Sequence, residues 1–160
     1  MVLTATHTRV LVLNPAFLQE IKDCNPDLWH TQHELRQVCD DCDSEPAQVT
    51  RQLVRLLDDF RDQLALQFAL EESYGFVEVP NDAAAANRID EELVHRVHAQ
   101  HCPLYLELSE LAEQAEELQY RGIVMAQLLD LIGSVQRFNE RLTEHENLEG
   151  ELIERSLNVI

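Results

Sequence analysis

The sequence predicts an all-α protein: an up-down four-helix bundle preceded by a short N-terminal arm and helix. Three observations carry this. Four long segments place apolar residues at alternating steps of three and four, which keeps them on one helix face. Cap signals divide these segments by short connections, as in up-down bundles. The chain has only four glycines and no strand-length run of alternating polarity, which argues against a β-rich fold.

Residues 1–13 read as an extended arm. Asn14-Pro15 is a cap followed by proline at the first helical position, and it opens a short helix to about Asp23. Asn25-Pro26 repeats the signal and opens a helix to about Asp43, with Leu28, Leu35, Cys39 and Cys42 on its stripe and Gln32 among them. Ser44-Glu45-Pro46 restarts the chain as a helix to about Tyr74, with the stripe Leu53, Leu57, Phe60, Leu64, Gln67, Glu71 and Tyr74. Gly75 suits its C-cap, and residues 75–81 form a connection. Asn81-Asp82 starts the next helix, which runs to about Tyr120 with a kink expected at Pro103. Its stripe is Val94, Val97, His101, Leu104, Leu108, Leu111, Ala115 and Leu118. Gly122 breaks the chain before the last helix, about 123–157. The expected division is an arm and short helix over 1–24 and a bundle over 25–158.

The last helix carries the sharpest signal. Its stripe runs Val124, Leu128, Leu131, Val135, Phe138 and Leu142, then continues in register through His145, Glu149 and Leu152. A histidine and a carboxylate thus stand where the core should be apolar. Burying a charged carboxylate costs several kcal/mol unless something compensates it. Glu71 and His101 repeat the anomaly on two other helices. Carboxylates buried together repel and resist ionisation, and a metal ion reverses that penalty while imidazoles complete its shell.

The formal net charge of −18 argues against nucleic acid and anionic membrane surfaces as partners, since both are negative themselves. No apolar run approaches the roughly 18 residues of a membrane span. The start lacks the form of a signal peptide, so the expected location is cytoplasmic. Cys39 and Cys42 fall on an apolar stripe, which suits small buried hydrophobes better than a redox pair. No nucleophile–base pairing or Gly-rich phosphate loop stands out, so nothing marks the chain as an enzyme, although redox chemistry at a bound metal would need neither.

Three segments resemble the hemerythrin-like domains, also called HHE cation-binding domains. They are Gln67-Phe68-Ala69-Leu70-Glu71-Glu72, Gln100-His101-Cys102-Pro103-Leu104 and the His145-x-x-x-Glu149 pair, and the resemblance covers roughly residues 25–155. It implies a non-haem iron centre inside a four-helix bundle, with one or two irons per chain. It also implies that a small diatomic ligand, peroxide or iron itself is bound or sensed there. By resemblance, Glu71 and Glu149 match the bridging carboxylates, His101 the third-helix histidine and His145 the fourth-helix histidine.

The departures cluster. Gln67 stands where the family has a second-helix histidine, Tyr105 where hemerythrins often have a second histidine on the third helix, and Gln32 at the ligand position of the first. The resemblance places the first- and second-helix histidines on the same iron, so one metal position is expected intact and the other weakened, or rescued by a neighbour. His33 is the preferred rescuer, ahead of His30, with His98 a further candidate. Tyr105 is either a redox-active or metal-binding phenol or, by preference, a packed and hydrogen-bonded ring. The alternative reading is a degenerate bundle without metal, acting as an interaction module, in which the glutamines are hydrogen-bonding core residues. The residues do not identify a protein partner.

Overall fold

A computed structural model describes residues 9–41, 43–80 and 91–158. The described chain is mostly helical, with one small two-stranded sheet. In order it runs β1 (Arg9–Leu13), α1 (Pro15–Asp23), α2 (Pro26–Asp40), α3 (Pro46–Leu70) with a π-helical turn at Glu71–Gly75, β2 (Phe76–Pro80), α4 (Glu91–Ala99), α5 (His101–Arg121) and α6 (Met125–Leu157). Residues 81–90 lie outside the described residues, and with them the expected helix start at Asn81. No helix among the described residues is long and apolar enough to cross a membrane.

The helix starts follow the sequence. Asn14 caps α1 by accepting a hydrogen bond from the Phe17 amide, and Pro15, Pro26 and Pro46 occupy first-turn positions where no donor is needed. α2 ends at Asp40, earlier than expected. Asp41 is extended, and its carboxylate accepts from the Asp43 amide and the Ser44 hydroxyl, a local turn that competes with another helical turn.

Two expectations need correction. Residues 76–80 do not form a plain connection but β2, antiparallel to β1 with Val10 opposite Val79 and Leu13 opposite Phe76. Gly75 is not a left-handed cap, because among the glycines only Gly122 has positive φ. Its role is steric. A Cβ at position 75 would overlap the fully buried side chain of Leu18 on α1, and the Gly75 carbonyl accepts from the Asn14 amide at 2.7 Å. Gly75→Ala is therefore expected to destabilise the fold by about 1–3 kcal/mol, the usual cost of overpacking, measurable as a lower midpoint in denaturant with unchanged slope.

The third long helix is interrupted at Gln100, which keeps helical dihedrals, one turn before Pro103, whose missing N–H would have bonded the Ala99 carbonyl. The Gln100 amide bonds the Val97 carbonyl, a tightened last turn, and α5 begins afresh at His101. Pro103 then lies in a first turn, where its missing N–H costs nothing. Gln100 and His101 stand at the N-terminal end of α5, with His101 buried and Gln100 half-buried.

α3 packs on α2 and α5, and α6 packs on α5 and α2. The larger apolar cluster between them includes Leu28, Leu35, Leu53, Leu57, Phe60, Leu64, Leu108, Val135, Phe138 and Leu142, with Phe60 and Phe138 meeting edge to face at 6.0 Å. A second cluster joins Leu18, Phe76, Leu93, Val94, Val97, Leu152 and Ile153 under the sheet. Along α6 the polar pair His145 and Glu149 falls between Leu142 of the first cluster and Leu152 of the second. Across the break from α4 to α5, His101 likewise falls between Val97 and Leu104. A polar layer is thus enclosed by two apolar ones. The ends of two stripes leave the core: Val124 caps α6 in an extended conformation and is 51% exposed, and Tyr74, inside the π-helical turn, is 56% exposed.

Candidate metal centre

Glu71, His101, His145 and Glu149 converge in this layer. Each is at most 3% exposed, and one ligand atom from each lies within 4.8 Å of the others. His101 Nε2 is 3.1 Å from Glu71 Oε1 and 3.9 Å from Glu149 Oε2, and His145 Nε2 is 3.5 Å from Glu149 Oε2. Glu71 comes from the start of the π-helical turn, a deformation often found at functional sites. His145 and Glu149 stand one turn apart on α6.

Both imidazoles are held from behind. His145 Nδ1 donates to Gln100 Oε1 at 2.8 Å, since an amide oxygen can only accept, and His101 Nδ1 is 3.4 Å from Glu72 Oε1. These contacts fix the rings with Nε2 turned to the centre, the arrangement that prepares a histidine to bind metal. Phe68 stacks on His101 with ring centroids 4.2 Å apart and meets His145 edge-on. Glu71 is oriented too: its Oε2 accepts from Gln67 Nε2 at 2.8 Å, and Gln67 Oε1 accepts from Asn25 Nδ2 at 3.0 Å. Gln67 therefore points its amide at the Glu71 carboxylate.

The inward atoms lack well-formed hydrogen bonds. Glu71 Oε1, both Glu149 oxygens and both histidine Nε2 atoms are buried, and they face one another and Lys22 at 3.1–3.9 Å. Each such atom costs about 1–3 kcal/mol, and evolution of a fold rarely gathers five in one place without a ligand. Two imidazole nitrogens and two carboxylates form a donor set for a divalent transition metal, so the residues fit a metal ion.

The protonation pattern shows the same strain. Burial, reinforced by the Glu149 charge, raises the Glu71 carboxyl to about 8. Burial alone would lower His101, but Glu149 and Glu71 outweigh it and raise the ring to about 9. Burial opposes ionisation of Glu149 as well, yet His101, His145 and Lys22 hold it well below the usual carboxylate range.

The expected fifth ligand, His33, is not in this group. It is exposed on α2, beside His30, which pairs with Glu34 at 2.8 Å. Gln32 is the inward residue, 9% exposed, and the next position is turned by about 100° around the helix. His98 is half-buried, 3.6 Å from Glu72, and its ring lies 5.9 Å from that of His101, so it flanks the centre without joining it. Tyr105 packs against the larger apolar cluster and, with Ala65, Phe68, Ala69, Glu72, His101 and Cys102, lines a groove of about 260 Å³ that leads to His101.

Two participants have no place in the sequence reading. Lys22 of α1 reaches the layer with its Nζ 2.9 Å from Glu146 Oε2 and 3.6 Å from Glu149 Oε1. Glu146 was legible: Leu142, Glu146, Glu149 and Ile153 form a second stripe beside the first, again at steps of four and three. Lys22 was not, because α1 lies outside the four long helices.

No family model matches the chain, and no curated protein or solved structure is significantly similar to it.

Proposed function

We propose that this chain is a hemerythrin-like four-helix protein that binds non-haem iron and presents it to a small diatomic ligand or peroxide. The observation that carries the reading is the group of five unsatisfied donor atoms on Glu71, His101, His145 and Glu149. The mutual packing of α2, α3, α5 and α6, with short connections at 41–45 and 122–124, supports an up-down bundle. Mixed imidazole and carboxylate donors suit iron(II) among the common metals.

In this reading Glu71 and Glu149 supply the charge that retains the ion. His101 and His145 supply neutral nitrogens, kept in the right tautomer by Glu72 and Gln100. Bound iron would supply a redox-active centre with coordination positions beyond its four protein ligands. Phe68 and the surrounding apolar layers limit water, and a small ligand would approach from the groove that His101 and Tyr105 line. Turnover is not required, and binding or sensing is the simpler function.

The test is spectroscopic. Protein loaded anaerobically with iron(II) is expected to develop a new near-ultraviolet or visible band on exposure to nitric oxide, oxygen or peroxide. Iron-loaded protein whose spectrum responds to none of the three refutes ligand binding. A second reading, a metal-free interaction module, draws support from Lys22, which already offsets part of the buried negative charge. Failure to retain any metal would favour it.

A further inference from the structure

Lys22 enters the polar layer as a finished cation site. Its side chain is 16% exposed, and its ammonium faces three oxygens: Glu146 Oε2 at 2.9 Å, the Glu146 carbonyl at 3.3 Å and Glu149 Oε1 at 3.6 Å. The Glu146 carbonyl accepts a hydrogen bond from the ammonium, and the two carboxylates pair with its charge. The Glu146 side chain is itself only 13% exposed. Glu149 is shared, with Oε1 toward Lys22 and Oε2 toward His101 and His145.

The charges settle what this does. With the ligands deprotonated, as metal binding requires, the buried carboxylates Glu71, Glu146 and Glu149 share the layer with one lysine, which leaves two negative charges beside two neutral imidazoles. One divalent ion cancels that remainder. A second would leave the layer net positive and would compete with the ammonium for Glu146 and Glu149.

We propose that Lys22 takes the place of a second metal ion, so that the centre is mononuclear by construction, with Glu149 bridging a metal and an ammonium in place of two metals. The proposal rests on the metal reading above and deepens it. The short helix α1 is then part of the centre, because it delivers the second cation. Gln67 fits the same scheme: its amide orients Glu71 and leaves no nitrogen ligand on that side.

Anaerobic titration with iron(II) by calorimetry tests this on the full chain. Wild type is expected to bind one ion per chain. Lys22→Met keeps the buried stem, removes the charge and is expected to bind two. Adding Glu146→Gln to it removes the third carboxylate and should return the count to one, a reversal that loss of packing would not produce. Melting curves of the metal-free variants check that each is folded. If Lys22→Met does not fold, Glu146→Gln alone decides: it should keep one ion but weaken it by at least about tenfold, as expected for removing one charge near a partly buried cation. Two ions in wild type, or one ion with unchanged affinity in Lys22→Met, or unchanged affinity in Glu146→Gln, would overturn the proposal and leave the metal site standing. No binding by wild type or Lys22→Met would remove the metal reading itself, and the proposal with it.

Discussion

Glu149→Gln is expected to weaken iron(II) binding by more than about a hundredfold, since even residues that merely orient metal ligands are worth 10–100-fold. Among the described residues Glu149 is the carboxylate that pairs with both His101 and His145, and it also faces Lys22. Glutamine preserves its shape but not its charge. The wild-type protein should gain about 2.7 kcal/mol when metal is present at a hundred times its dissociation constant. In a chain of this length that is a rise of about 5–11 °C in melting temperature. The variant should show no rise at the same concentration. Equal rises in the two proteins would mean that metal binds elsewhere.

The second large effect is on pH. Without metal, the folded chain holds protons that the unfolded chain has released. The His101 ring, raised from 6.5 to about 9, contributes stability that is fully present below 6.5 and is lost as pH rises through 9. The Glu71 carboxyl, raised from 4.5 to about 8, acts in the same direction: stability declines as pH rises from 4.5 to 8 and levels above that. Burial raises Glu146 too, helped by Glu149 and resisted by Lys22. His98, lowered by burial, works the other way below its ordinary value. Glu149 sets the acid limit, because a depressed carboxyl loses its contribution as pH falls below the usual range. The metal-free protein should therefore melt at least about 5 °C higher at pH 6 than at pH 9, the shift produced by roughly 1–2 kcal/mol in a chain this size. A bound divalent ion displaces the Glu71 and His101 protons, so affinity should rise with pH over the same interval and flatten the profile. Metal-free melting that is flat or rising from pH 6 to 9 would contradict this account of the buried pair.

Much of the centre was legible because helix periodicity reports which face is inward. The stripe of α6 led directly to His145 and Glu149, and the stripe of α3 remained valid as far as Glu71. It failed at Tyr74 because the π-helical turn changes the rotation per residue just there. The choice of His33 over Gln32 required α2 to rotate, and the apolar residues Leu28, Leu35 and Cys39 hold it where it is. The sheet was illegible for a different reason. Arg9–Leu13 and Phe76–Pro80 pair across a long separation in the chain, so no turn residue announces them. Lys22 was missed because a cation at the edge of a short amphipathic helix is ordinarily solvated. Only the tertiary packing of α1 on α6 and on the π-helical turn turns it inward.

The most direct measurement is metal content per chain by elemental analysis, after anaerobic iron(II) loading and removal of loose metal. The wild-type protein and the Glu71→Gln/Glu149→Gln variant would be compared. The predicted result is one tightly held iron per wild-type chain and essentially none in the variant, with both proteins folded. Equal metal in the two, or none in either, would contradict the claim that these buried residues form a metal centre.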